Sequence, residues 1–107
     1  MVGENRPWSE QYWEDAQDWV DKEAAASLLE DTKSAVMAQE IGKLGTGVPV
    51  NRAEQIVKAG GFWWELITKT VDARKEANLA KVKMEYTKMR ANEWNNAEAN
   101  HRAGTRL

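Results

Sequence analysis

Residues 66–94 read LITKTVDARKEANLAKVKMEYTKMRANEW, and a single spacing runs the length of the stretch. Leu66, Thr70, Ala73, Ala77, Ala80, Met84, Thr87, Ala91 and Trp94 recur at alternating steps of four and three. That is the 3.5-residue period by which one helix presents a continuous seam to another. Most of these residues are small, so a partner helix can approach closely.

Working outward, the helical texture continues to about Ala103. In the other direction it meets Gly60-Gly61, where each glycine costs about 1 kcal/mol relative to alanine in a helix interior. Ile56, Gly60, Trp63, Ile67 and Thr70 carry the four-and-three spacing straight through this pair. One helix over about 51–103 is therefore expected, with any kink at Gly60-Gly61. Asn51 offers its N-cap, and Glu54 three residues later completes a capping-box pattern.

Upstream of Asn51, Gly42, Gly45 and Gly47 precede Val48-Pro49-Val50, and both the glycine freedom and the missing proline donor oppose a helix. A turn over 42–50 follows. From Ser9 to Ile41 no Gly or Pro intervenes, which predicts a first helix over about 9–41. Ser9 is the expected N-cap, with Trp8 facing Trp13 as a hydrophobic staple. A looser stripe through Ala25, Leu28, Thr32, Ala35 and Gln39, widened by Ala24, Leu29 and Val36, marks its expected contact face. The predicted fold is all-α: one domain over 1–107, a long antiparallel two-helix hairpin of coiled-coil type.

Composition fits such a chain. Leu, Ile, Val and Phe together number only 18 of 107 residues, and 15 Ala and 6 Trp make up the deficit, which suits close helices with a few bulky anchors. The absence of Cys excludes disulfides, Cys-zinc sites, iron–sulfur clusters and thiol nucleophiles. A single His, His101, excludes multi-His metal sites within one chain. No apolar run approaches the roughly 20 residues that span a bilayer, and the polar, acidic start MVGENRPWSE lacks the texture of a signal peptide. A soluble, cytoplasmic protein without membrane contact is expected.

The net charge of -2 divides unevenly along the chain. Residues 1–41 hold 10 acids and 3 bases, whereas 42–107 hold 7 acids and 12 bases. On the second helix Arg74, Lys81 and Lys88 flank one side of the seam, and Lys69, Lys83 and Arg90 flank the other. These positions set partner choice in paired helices. They suit either a groove for nucleic-acid phosphates or alignment against Glu14, Asp15, Asp18, Asp21, Glu23, Glu30 and Asp31 of the first helix. The second reading is preferred, because bases that flank a seam meet whichever helix packs there.

Two apolar groups remain outside this scheme. Leu79, Val82, Tyr86 and Met89 form a stripe at helical spacing on a different face from the seam, and one partner cannot cover both faces. This predicts self-association, as a dimer of four helices. Trp8, Tyr12, Trp13 and Trp19 with Phe62, Trp63 and Trp64 are mainly core or oligomer contacts in this scheme, with a partner platform as the alternative. Trp13 and Trp19 are expected near Met89 and Trp94. Because Trp63 and Trp64 are adjacent, at least one of them is expected to be exposed or used between subunits.

Chemistry-bearing constellations are scarce. Glu98 and His101 form the Glu-x-x-His element of carboxylate-bridged metal bundles, but the seam offers no further carboxylates to bridge ions, so no metal or cofactor is expected. The glycines form no phosphate loop, and no Ser sits beside a base.

In the Leu28-Leu29-Glu30-Asp31-Thr32, Val50-Asn51-Arg52-Ala53-Glu54, Asn92-Glu93-Trp94 and Ala97-Glu98-Ala99-Asn100-His101-Arg102-Ala103 segments, the chain resembles small helical-hairpin proteins encoded in tailed-phage genomes. The resemblance covers most of the chain and implies a hairpin with no assigned activity, often encoded among genes for DNA replication or recombination. The Gly60-Gly61 and Trp63-Trp64 pairs depart from that pattern. The expected function is non-enzymatic: binding of an unidentified protein partner or self-assembly through Leu79, Val82, Tyr86, Met89, Trp63 and Trp64. The alternative is an accessory nucleic-acid-binding protein using Arg74, Lys75, Lys81, Lys83, Lys88 and Arg90, with Arg102 and Arg106 in the tail.

Overall fold

The computed structural model describes residues 7–105, which form three helices and no strand. They are α1 (Trp8–Lys43), α2 (Val50–Lys58) and α3 (Gly61–Thr105). The molecule is a rod of 84 × 24 × 16 Å. At 1.5 Å per residue α1 is roughly 54 Å long and α3 roughly 68 Å. Arg106 lies outside the described residues.

Both prolines start helices, but by a different route from the expected caps. Pro7 (φ -57, ψ 142) and Pro49 (φ -59, ψ 146) are themselves the boundary residues, and no side chain caps either helix. Their carbonyls accept the first helical bonds, from Gln11 N–H at 3.2 Å and from Ala53 N–H at 2.9 Å. The helices thus begin before Ser9 and Asn51 can act as caps. Trp8 is already the first helical residue and Trp13, five positions on, lies about 140° around α1 from it, so the pair is not placed as a staple.

α1 ends where glycine becomes necessary. Leu44 N–H reaches Ile41 O, Gly45 N–H reaches Gly42 O, and Gly45 then adopts φ +85. This left-handed step after the last helical turn reverses the chain at little steric cost only when the residue lacks a Cβ.

The single second helix expected over 51–103 is in fact two. Ala59 N–H donates to Gln55 O, Gly60 N–H donates to Val57 O, and α3 starts at Gly61. The break shifts the phase of the contact face. Ala53 is buried and Val57 half-buried on α2, while Ile56, which the unbroken stripe would turn inward, is exposed.

Across the rod, Asp15 pairs with Thr87 and Glu30 with Arg74, so partner numbers on α3 fall as those on α1 rise and the helices run antiparallel. On α3 Trp63, Leu66, Thr70, Ala73, Ala77, Ala80, Met84, Thr87 and Ala91 are buried or half-buried, with Ile67 and Arg74 half-buried beside them, so the expected seam holds as far as Ala91. Trp94 is exposed, because the register sets it level with Trp8, where α1 begins. On α1 the seam is Trp8, Tyr12, Asp15, Trp19, Lys22, Ala26, Leu29, Lys33, Val36 and Glu40, again in unbroken four-and-three steps.

The stripe centred on Leu28 is therefore not the contact face of α1. At about 100° per residue it lies roughly 120° around the helix from the seam, and Leu28 is 68% exposed. Only the stripe's widening residues Leu29 and Val36 belong to the seam, where four of the ten positions hold charged residues and so break the apolar pattern.

Gly45→Ala should lower stability by about 1–2 kcal/mol through its left-handed backbone, or about 4–8 °C in thermal midpoint. Gly42→Ala, within the last turn of α1 and with open space at its Cβ, should instead raise stability by up to about 1 kcal/mol. Thermal denaturation of the two variants side by side checks both signs.

Candidate functional site

The inner face of the hairpin is closed by polar contacts at two levels. At the first, Asp15, only 3% exposed, sits in the seam of α1. Its Oδ2 accepts from the Thr87 hydroxyl at 2.5 Å and its Oδ1 from Gln11 Nε2 at 3.0 Å, with Lys83 Nζ 3.6 Å away. Every buried side-chain polar atom among the described residues has a hydrogen-bond partner. A satisfied polar layer inside an otherwise apolar seam fixes register, since sliding one helix past the other would bury the carboxylate without donors.

At the second level Arg74 lies between two carboxylates one heptad apart on α1. Its Nη1 donates to Glu23 Oε2 at 2.6 Å, its Nε to Glu30 Oε2 at 3.2 Å, and its Nη2 to Glu30 Oε1. The fork geometry of guanidinium makes this a two-sided clamp that a lysine could not reproduce. The Arg74 hydrogen bond holds the Glu30 carboxyl below its ordinary value, and the same contacts raise the Arg74 guanidinium.

These contacts account for much of the basic flank. Arg74 and Lys83 face acids of α1, Lys81 Nζ stands 5.9 Å from the centre of the Trp19 ring, and Arg90 pairs with Glu93 on its own helix at 3.2 Å. Lys75 and Lys88 are exposed and in no ion pair among the described residues. Asp18 turns to Lys22 on its own helix instead of crossing to α3. Trp19 therefore lies beside Lys81, away from the expected neighbourhood of Met89 and Trp94.

The outer face of α3 is different in kind. Leu79, Val82, Tyr86 and Met89 are 55–61% exposed. At about 100° per residue they fall roughly opposite the seam, and Trp64 and Val71 extend the same line toward the turn. Trp63 is buried in the hairpin, level with the end of α1, while Trp64 points outward. Of the residues expected at an interaction surface, Trp63 is thus taken up internally and the other five share one exposed face.

At the far end of α3, Trp94, Ala97, Glu98, His101 and Arg102 line an open cleft of about 450 Å³. Glu98 and His101 are exposed, and no group of three or more His, Cys, Asp or Glu among the described residues is placed to hold a metal ion. Among the described residues no helix is long and apolar enough to cross a membrane.

Asp15 is the residue that hydrophobic periodicity alone misses. Its signal is the four-and-three run from Trp8 to Glu40, visible once charged residues are allowed at seam positions. A double-mutant cycle of Asp15→Ala and Thr87→Val should give a coupling of about 0.5–3 kcal/mol in urea denaturation, whereas strict additivity would contradict the contact. For Glu30, a carboxyl held low in the folded state adds stability that is present above its unfolded value, near 4.5, and lost as pH falls through the folded value. The stability gap between the parent chain and Glu30→Gln should therefore narrow below about pH 4.5, measured by urea denaturation at stepped pH.

Comparison of the chain with protein-family models, with curated proteins and with solved structures finds no match.

Proposed function

We propose that this chain is a non-enzymatic interaction protein that works by self-association and presents its outer helical faces as the contact surface. One observation carries the reading: the distribution of apolar side chains is inverted relative to a self-sufficient domain. Among the described residues the buried apolar set is Ala26, Ala53, Trp63, Ala77 and Ala80, while 14 large apolar side chains are exposed. Burial contributes about 25 cal/mol per Å² of apolar surface, and the larger seam residues such as Trp19, Leu29, Leu66 and Met84 are only half-buried, so the seam draws less from burial than a closed core would. Apolar side chains aligned on one face, rather than scattered, are the usual mark of a contact surface.

The resemblance to tailed-phage hairpin proteins, which have no assigned activity, is compatible with such a role and does not specify it. The nucleic-acid alternative has less support, because Arg74, Lys81, Lys83 and Arg90 already face carboxylates or a ring. Lys69, Lys75 and Lys88, the bases of α3 left outside such contacts among the described residues, make a sparse phosphate track.

Sedimentation velocity of the full chain between about 1 and 100 µM should show a species heavier than the 12.1 kDa protomer, its fraction rising with concentration. A monomer throughout would contradict the proposal. In parallel, labelled single-stranded and duplex DNA should show no binding near micromolar protein, and micromolar binding that weakens steeply with salt would favour the nucleic-acid reading instead.

A further inference from the structure

The outer stripe of α3 has a pattern that reads the same in both directions except for the charge at its ends. Lys75, Leu79, Val82, Tyr86, Met89 and Glu93 follow at steps of four, three, four, three and four, with the four apolar residues in the middle and opposite charges at the two ends. All six are exposed. Lys75 is in no ion pair among the described residues, and Glu93 meets only Arg90 one turn away.

We propose that a second copy of this chain covers this face, the two α3 helices running antiparallel about a twofold axis level with residue 84. The inference rests on the self-association reading and gives it a geometry. A twofold interface requires a patch complementary to itself. Antiparallel pairing supplies it: Leu79 packs on the partner's Met89, Val82 packs on the partner's Tyr86, and Lys75 meets the partner's Glu93 at both ends. Parallel pairing would set Lys75 on the partner's Lys75 and Glu93 on the partner's Glu93, a like-charge contact at each end.

Pairing about this centre also overlaps the two helices on either side of the stripe. The part of α3 beyond the start of α1, exposed from Asn92 to Gly104, then lies along the Val71 and Trp64 end of the partner. Near the axis Glu85 approaches its own copy, a cost set against two Lys75–Glu93 pairs and four apolar layers. Because the stripe lies opposite the seam, the dimer is a flat row of four helices in the order α1, α3, α3, α1 and not a closed bundle.

The test is sedimentation equilibrium of the full chain and three groups of variants, with helicity checked by circular dichroism. Val82→Glu, at an exposed position in a helix-compatible residue, should keep the helix content and weaken dimerisation at least about tenfold. Lys75→Glu and Glu93→Lys should each weaken it about 5- to 30-fold, and the K75E/E93K double variant should return to within about threefold of the parent. A double variant no better than the singles overturns the antiparallel register. A parent dimer indifferent to all of these substitutions overturns this face while leaving self-association standing, and a parent monomer at about 100 µM overturns both.

Discussion

The rest of this structure depends on the close approach of α1 and α3 along a seam of small residues, held in one register by two polar locks. Ala26 on α1 is level with Ala77 on α3, and both are fully buried. Small side chains allow the helices to lie near each other but bring little apolar area, so the seam specifies geometry more than it stabilises it. The Asp15–Thr87 contact and the Arg74 clamp on Glu23 and Glu30 select one register among the several that an alanine-rich seam would accept. Once that register is set, the direction of every other side chain on both helices follows.

The consequence for function is a division of labour around α3. Its inner face is occupied by α1, and its flanking bases are largely drawn into carboxylate or aromatic contacts with α1 or with α3 itself. What remains outward is an apolar line from Trp64 to Met89, together with an extension beyond the start of α1. A hairpin with weak internal burial and an ordered external stripe is the physical situation in which association of the folded form would add to its stability.

The two long helices differ in how far their sequences disclose them. On α3 the contact residues are Leu, Ala, Thr and Met, so the seam and the apolar face across from it were both readable from spacing. On α1 the same spacing is present, but Asp15, Lys22, Lys33 and Glu40 occupy it, and a reading weighted by hydrophobicity settles on Leu28 and its neighbours instead. The helix break shows a different limit. The four-and-three spacing continues through Gly60-Gly61 on paper, yet the glycines permit a turn that rotates α2, placing Ala53 inward and Ile56 outward. Spacing says which residues would align if the helix continued, not whether it does. The cap positions were misplaced for a related reason: Pro7 and Pro49 supply the initiating carbonyls themselves, so the side chains of Ser9 and Asn51 are not needed.

The central claim is that one copy of this hairpin gains stability from another. Urea denaturation followed by helicity, at protein concentrations spanning a hundredfold range from about 1 µM, tests it most directly, because association of the folded form makes the midpoint concentration-dependent. The account predicts a midpoint that climbs steadily with concentration. A midpoint that stays fixed across the whole range would show that the hairpin stands alone and would contradict it.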